Sequence, residues 1–177
     1  MNVGTTGPDG KTSIELFRGN RKFMATKDYT HQTGILNVPA PATSGTITFQ
    51  TAKATALVKD CDNGLPISGA VVKFNHKYTS YMNVGTTGND GKASIELFPG
   101  SRKFKAIINY TSQAKTFTLT HTGNPNDVDV TFNPTRVNFH YTGGVSYNHK
   151  YSAYTSLHPD YYMFPGTYKF KFGSMYK

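Results

Sequence analysis

The chain has 177 residues, a formal net charge of +9, one cysteine (Cys61), no tryptophan, 12 Tyr and 12 Phe. One cysteine excludes an internal disulfide, and no apolar run approaches the roughly 18 residues that a membrane helix needs. Lys and Arg occur in runs no longer than two across the whole length, so the charge reads as a solvated basic surface and gives no reason to expect nucleic acid.

Residues 1–25, MNVGTTGPDGKTSIELFRGNRKFMA, return at 82–106 as MNVGTTGNDGKASIELFPGSRKFKA, identical at 20 of 25 positions with an offset of 81. The chain is therefore a repeat array. Scarce Leu and Ala with abundant Thr, Tyr, Phe, Val, Gly and Asn favour strands and tight turns, so an all-β fold of tandem sandwich domains is expected. Met1 has its counterpart at Met82, inside a repeat, so the sequence is expected to start within a domain. Its first 25 residues contain no hydrophobic core of a signal peptide, which places any export signal outside this sequence or among residues already removed.

In chain order, residues 1–50 match the second half of a repeat, from MNVGTTG to TITFQ, and lack its first strands. Residues 51–133 read as one complete repeat. Its strands are ATALVKD (54–60), GAVVKFN (69–75), KYTSYMNV (77–84), KASIELF (92–98), RKFKAIINY (102–110), QAKTFTLT (113–120) and DVDVTF (127–132), separated by turns rich in Gly, Asn, Asp and Pro. Seven short alternating strands predict a two-sheet sandwich. Residues 134–177 match the first part of a third repeat: RVNFHY opens it, GGVSYNHKYSAY parallels GAVVKFNHKYTSY, MFPGTYKFKF parallels LFPGSRKFKA, and the last strands are missing.

This order of motifs resembles bacterial prealbumin-like, Ig-like surface repeats, including collagen-adhesin B-type and carboxypeptidase-regulatory-like modules. It is most similar to tandem repeats carrying GTT…G…S.ELLPG.Y.F and ending in VVFQT. The resemblance implies an exported, multi-domain β-sandwich protein and no particular activity. It also implies that a Lys-to-Asn isopeptide bond promoted by an acid is conceivable. Lys59, Glu96 and Asn133 are the nearest candidates by strand order, although Glu96 precedes the Pro-Gly turn where the family's acid follows it.

Chemistry is thinly represented. The histidines (His31, His76, His121, His140, His149, His158) show no HxH or HExxH spacing, and no CxxC or GxSxG occurs, so neither a zinc site nor a hydrolase is supported. We expect no catalytic residue and no cofactor. Asp60-Cys61-Asp62-Asn63-Gly64 resembles the start of a calcium loop, but the later bidentate acid is missing, which leaves Asp60 and Asp62 as turn residues that bond their own backbone. Asn109-Tyr110-Thr111 is a glycosylation sequon at a strand end. A glycan-binding face would need exposed rings, yet most Tyr and Phe fall on core-facing positions.

The expected function is a structural subunit of an extracellular fibre or filament whose partners are other copies of itself. Two or three missing strands at each end would leave about 400 Å² of apolar surface uncovered, a deficit of about 10 kcal/mol at ~25 cal/mol/Å². Strands from a neighbouring subunit could fill it by complementation. The alternative is an adhesin or carbohydrate-binding module, with glycans as partners. Insertion into a membrane is not expected.

Overall fold

The computed structural model describes residues 2–40, 44–75, 80–120, 128–138, 145–148, 155–156 and 161–173. The described residues form an all-β fold with fourteen strands. Chain contacts divide it into two units, one of residues 1–26 and 31–49, the other of residues 27–30 and 50–177. His76, His121, His140, His149 and His158 lie outside the described residues.

The first unit is built on the hairpin of β1 (Gly19–Lys27) and β2 (Thr30–Val38). The segment after it crosses β2 so closely that a Cβ at Gly34 would come within 2.6 Å of the Ile47 side chain. Before the hairpin, residues 2–18 hold only the turn in which Gly7 N–H donates to Lys11 O at 2.9 Å, and Asp9 accepts from Lys11 N–H at 3.1 Å. The second repeat makes the same turn, with Gly88 N–H donating to Lys92 O at 3.1 Å and Asp90 accepting from Lys92 N–H at 3.0 Å. There, however, strands flank it. Thr87 anchors that turn by donating to Ile67 O at 2.8 Å and accepting from Ala70 N–H at 3.0 Å, whereas its counterpart Thr6 is exposed. Local sequence makes the turn; partner strands make its flanks into a sheet.

In the second unit the central repeat is a seven-stranded, Ig-like sandwich. Its strands are β3 (Ala52–Val58), β4 (Val71–Asn75), β5 (Met82–Thr86), β6 (Lys92–Leu97), β7 (Gly100–Ile108), β8 (Thr111–Leu119) and β9 (Val128–Phe132). One sheet runs β6-β3-β9 and the other β5-β4-β7-β8; β3 pairs antiparallel with β6 and parallel with β9. Alternation fills the space between the sheets: Ala54, Ala56, Val58, Val130 and Phe132 face Val72, Phe74, Phe104, Ala106, Phe117 and Leu119, all buried. The outer face of β6 carries Ser94 and exposed Glu96.

The remaining strands are β10 (Thr135–Val137), β11 (Val145–Asn148), β12 (Thr155–Ser156), β13 (Tyr161–Met163) and β14 (Lys169–Phe172). Antiparallel β10-β13 reproduces β3-β6, and β12-β11-β14 reproduces β5-β4-β7. A small aromatic core of Tyr147, Tyr161 and Met163, joined by Val137, Tyr168 and Phe170, lies between these sheets.

Candidate functional site

The feature that recurs with the repeat is a joint built on a hairpin turn. β7 and β8 are linked by Asn109 and Tyr110, both with positive φ (46° and 60°), and β1 and β2 by Asp28 and Tyr29, likewise (45° and 61°). Two positive-φ residues make a type I′ turn, whose twist matches a hairpin. Asx tolerates that geometry; for Tyr it is strained, at about 1 kcal/mol. Tyr29 and Tyr110 are nevertheless each 73% exposed, so burial of the ring does not offset the strain.

The next residue closes the turn and reaches beyond it. Thr111 is fully buried; its hydroxyl donates to Ile108 O at 2.9 Å and accepts the Phe164 N–H at 3.0 Å, 53 residues away. Thr30, equally buried within the second unit, donates to Lys27 O at 2.7 Å and accepts the Phe98 N–H at 3.1 Å. One hydroxyl thus serves as donor to its own turn and acceptor from the Phe-Pro-Gly segment that follows in the array.

Phe164 belongs to the third repeat by sequence but to the central repeat by packing. It is 1% exposed, within the central core, with its ring edge-on to Phe132 at 6.2 Å. Phe98, its counterpart, is 4% exposed. Behind each Phe a side chain holds the turn's carbonyls. The Arg102 guanidinium donates to Phe98 O (2.8 Å), Ser101 O (2.9 Å) and Pro99 O (3.3 Å); in the third repeat the Tyr168 hydroxyl donates to Phe164 O at 2.6 Å. Burial lowers the Arg102 pKa, and the residue is held by carbonyl dipoles.

Further bonds cross the joint at Thr111. Asn109 Nδ2 donates to Tyr162 O at 3.1 Å, the Tyr147 hydroxyl donates to Asn109 O, and the Tyr162 hydroxyl reaches Asp60 Oδ2 at 3.5 Å. Burial, with smaller contributions from Tyr161, Tyr168 and Tyr110, pushes the Tyr147 phenol up to about 12.

The residues singled out by sequence fall around this joint. Asp60 is buried and its Oδ1 accepts from Asp62 N–H at 2.9 Å, while Asn63 accepts from Leu65 N–H at 2.8 Å, as expected of a self-bonded turn. Among the described residues no three His, Cys, Asp or Glu stand together as a metal site. The Asn109 side-chain nitrogen, where a glycan would attach, is engaged with Tyr162 O. The parallel β3-β9 ladder brings Lys59 beside Asn133, with Lys59 N–H donating to Phe132 O at 3.0 Å; Asn133 Oδ1 is buried without a hydrogen bond. Glu96 is not with them. It lies opposite Lys53 near the far end of the β3-β6 ladder, its exposed carboxylate 3.9 Å from Lys27 Nζ. Thr30, Thr111, Phe98, Phe164 and Arg102 escaped sequence reasoning, although Tyr-Thr at 29–30 and 110–111 marks the repeated turn.

No protein family and no curated protein matches the sequence. Among solved structures the chain is similar to a DUF3823 family protein from Parabacteroides merdae, at 17% identity and TM-score 0.38 over 56% of each chain. It is also similar to a streptococcal ancillary pilin, at 14% identity and TM-score 0.39 over 89% of this chain and 66% of the pilin. The chain spans less than two thirds of either structure's length. Among the described residues no helix is long and apolar enough to cross a membrane.

Proposed function

We propose that this chain is a non-catalytic structural subunit of an extracellular or cell-surface fibre, in which Ig-like repeats are joined head to tail and completed between subunits by β-strand complementation. The observation that carries this reading is the open edge at β14. In the central repeat β7 is flanked by β8, but the sheet β12-β11-β14 ends on β14 among the described residues. Phe172, at the position of fully buried Ala106, is 46% exposed. A strand from another subunit, equivalent to β8, would pair with that edge and cover Phe172. Repeated without closure, such a head-to-tail contact builds a filament.

Electron microscopy and sedimentation of the purified chain test the proposal. Filaments are expected, and Phe172→Pro should abolish them, because residue 172 matches Ala106, whose N–H faces β8 in the register set by the turn at Asn109 and Tyr110. A chain that stays monomeric at high concentration would remove the polymer reading.

One observation favours a second reading, that of an adhesin or carbohydrate-binding module. Tyr29 and Tyr110 hold strained backbone at the same turn position while their rings stay exposed, which suits stacking on sugar faces. Polysaccharide binding that disappears when both are changed to Ala would support it.

A further inference from the structure

The two outer faces of the central sandwich differ in charge. On β6-β3-β9, exposed Lys53 and Lys92 share the surface with exposed Glu96 and Asp129, and Lys53 lies directly opposite Glu96. On β5-β4-β7-β8 the strand register gathers Lys73, Lys103 and Lys105, and among the described residues no Asp or Glu joins them. The alternation that buries Phe74, Phe104 and Ala106 sends all three lysines to the other side of the sheet. Scattered along the chain, they meet only because β4 pairs with β7.

Lys73 stands directly opposite Lys105, an arrangement in which like charges repel, whereas Lys53 and Glu96 show the stabilising alternative in the same protein. Neither Lys73, Lys103 nor Lys105 makes an ion pair among the described residues. The Lys105 ammonium lies over the Tyr81 ring, 5.5 Å from its centroid. The pattern recurs in the third repeat, where Lys169 and Lys171 hold the positions of Lys103 and Lys105, are exposed, and lie opposite Asn148 and Ser146.

We propose that this lysine face binds a carboxylate-bearing polysaccharide. Lys103 and Lys105 are two residues apart, about 7 Å along the strand, and Lys73 is one strand away, at about 4.8 Å, so the face presents closely spaced positive charges to a polyanion. Charge fixes the sign of the partner, and the neighbouring groups fix its class. Lysine ammonium groups are point charges without the fork by which Arg grips phosphate. Tyr81, the ring beside them, lies under Lys105, which leaves bases no platform to stack on. Exposed Asn83, opposite Lys73, and exposed Thr116, opposite Lys103, instead offer an amide and a hydroxyl to sugar hydroxyls. The site goes beyond the fibre reading, does not depend on it, and uses neither Tyr29 nor Tyr110.

The test follows the fluorescence anisotropy of labelled polygalacturonate titrated with the full chain. Saturable binding is expected, weakened about tenfold or more between about 50 and 200 mM salt as counterions are released. Changing Lys73, Lys103 and Lys105 together to Gln should weaken it about tenfold or more, while the same change at Lys11, Lys53 and Lys92, which removes equal charge elsewhere, should leave it within about twofold. Lys73→Glu should raise the urea midpoint by pairing with Lys105 and still weaken binding, a combination that loss of folding cannot produce. Absence of binding at about 50 mM salt, or equal weakening by the two triple variants, would overturn the proposal. Tighter binding to single-stranded DNA or to anionic phospholipid vesicles would overturn the choice of polysaccharide. Filament formation bears on the fibre reading alone.

Discussion

Replacing Thr111 with Val keeps the shape of the side chain and removes only its hydroxyl, so it isolates what that oxygen contributes. In the native joint the hydroxyl accepts the Phe164 N–H at 3.0 Å and donates to Ile108 O at 2.9 Å, with Thr111 fully buried. The Val variant strands the Phe164 N–H away from water, at about 1–3 kcal/mol, and forfeits the bond to Ile108 O, worth about 1 kcal/mol. A loss of about 2–4 kcal/mol is a large share of the ~5–15 kcal/mol typical of a domain. For a repeat of this size it should lower the melting temperature by about 10–20 °C. Thr111→Ser retains the oxygen and loses one buried methyl, at about 1 kcal/mol. Urea unfolding of the two variants, with hydrogen exchange at the Phe164 amide, reads the difference. If Val and Ser unfold at the same midpoint and the Phe164 amide is equally protected in both, the hydroxyl does not join the repeats and the account of the joint is wrong.

Phe164→Ala should destabilise the central repeat, to which the residue does not belong by sequence, by about 3–5 kcal/mol through a cavity beside Phe132, seen as earlier unfolding of β7 and β8 in hydrogen exchange. Tyr168→Phe removes the bond to Phe164 O and should cost about 1 kcal/mol in urea unfolding, with no change in the near-ultraviolet signal of the remaining aromatic residues. The Tyr147 phenol is raised from 10.0 to about 12, so the unfolded chain loses that proton first; stability should be unaffected below pH 10 and fall as pH rises from 10 to about 12, and Tyr147→Phe should reduce that fall. Because Glu96 lies near the far end of its ladder from Lys59 and Asn133, the intact mass should equal that of the sequence, with no loss of ammonia from an isopeptide bond.

The strands of the central repeat were legible because each of them obeys one period. Phe104, Ala106 and Ile108 alternate with Lys103, Lys105 and Ile107, and burial follows the alternation, while Gly and Asx residues mark the turns between. Strand order names Lys59, Glu96 and Asn133 as the nearest candidates for an isopeptide bond, and the pairing of the first and last strands in β3-β9 is what brings Lys59 beside Asn133. It could not place Glu96, whose distance from them depends on register along β3-β6, a quantity that alternation leaves open. The joint was hidden for a different reason. Phe98 and Phe164 directly follow the inward Leu97 and Met163 at the apolar ends of their own strands, so sequence assigns them to their own repeats, whereas their N–H groups bond Thr residues 68 and 53 positions earlier.

A signal for the joint was nevertheless present in the way the two copies diverge. After the 25 residues that are nearly identical, positions 26–38 and 107–119 share only Tyr29 with Tyr110, Thr30 with Thr111 and Gln32 with Gln113. Hairpin strands tolerate exchange because any residue of the right polarity fits a pleated surface. A Thr in a turn has no such need on local grounds, since Ser or Asn would close the turn equally well. Its β-branched shape and its hydroxyl matter together only where the side chain is buried and must accept a second bond from another segment. Two turns that keep Tyr-Thr while their flanking strands change therefore point to a contact outside the hairpin. The Phe-Gly pairs at 98 and 100 and at 164 and 166 are what that contact meets.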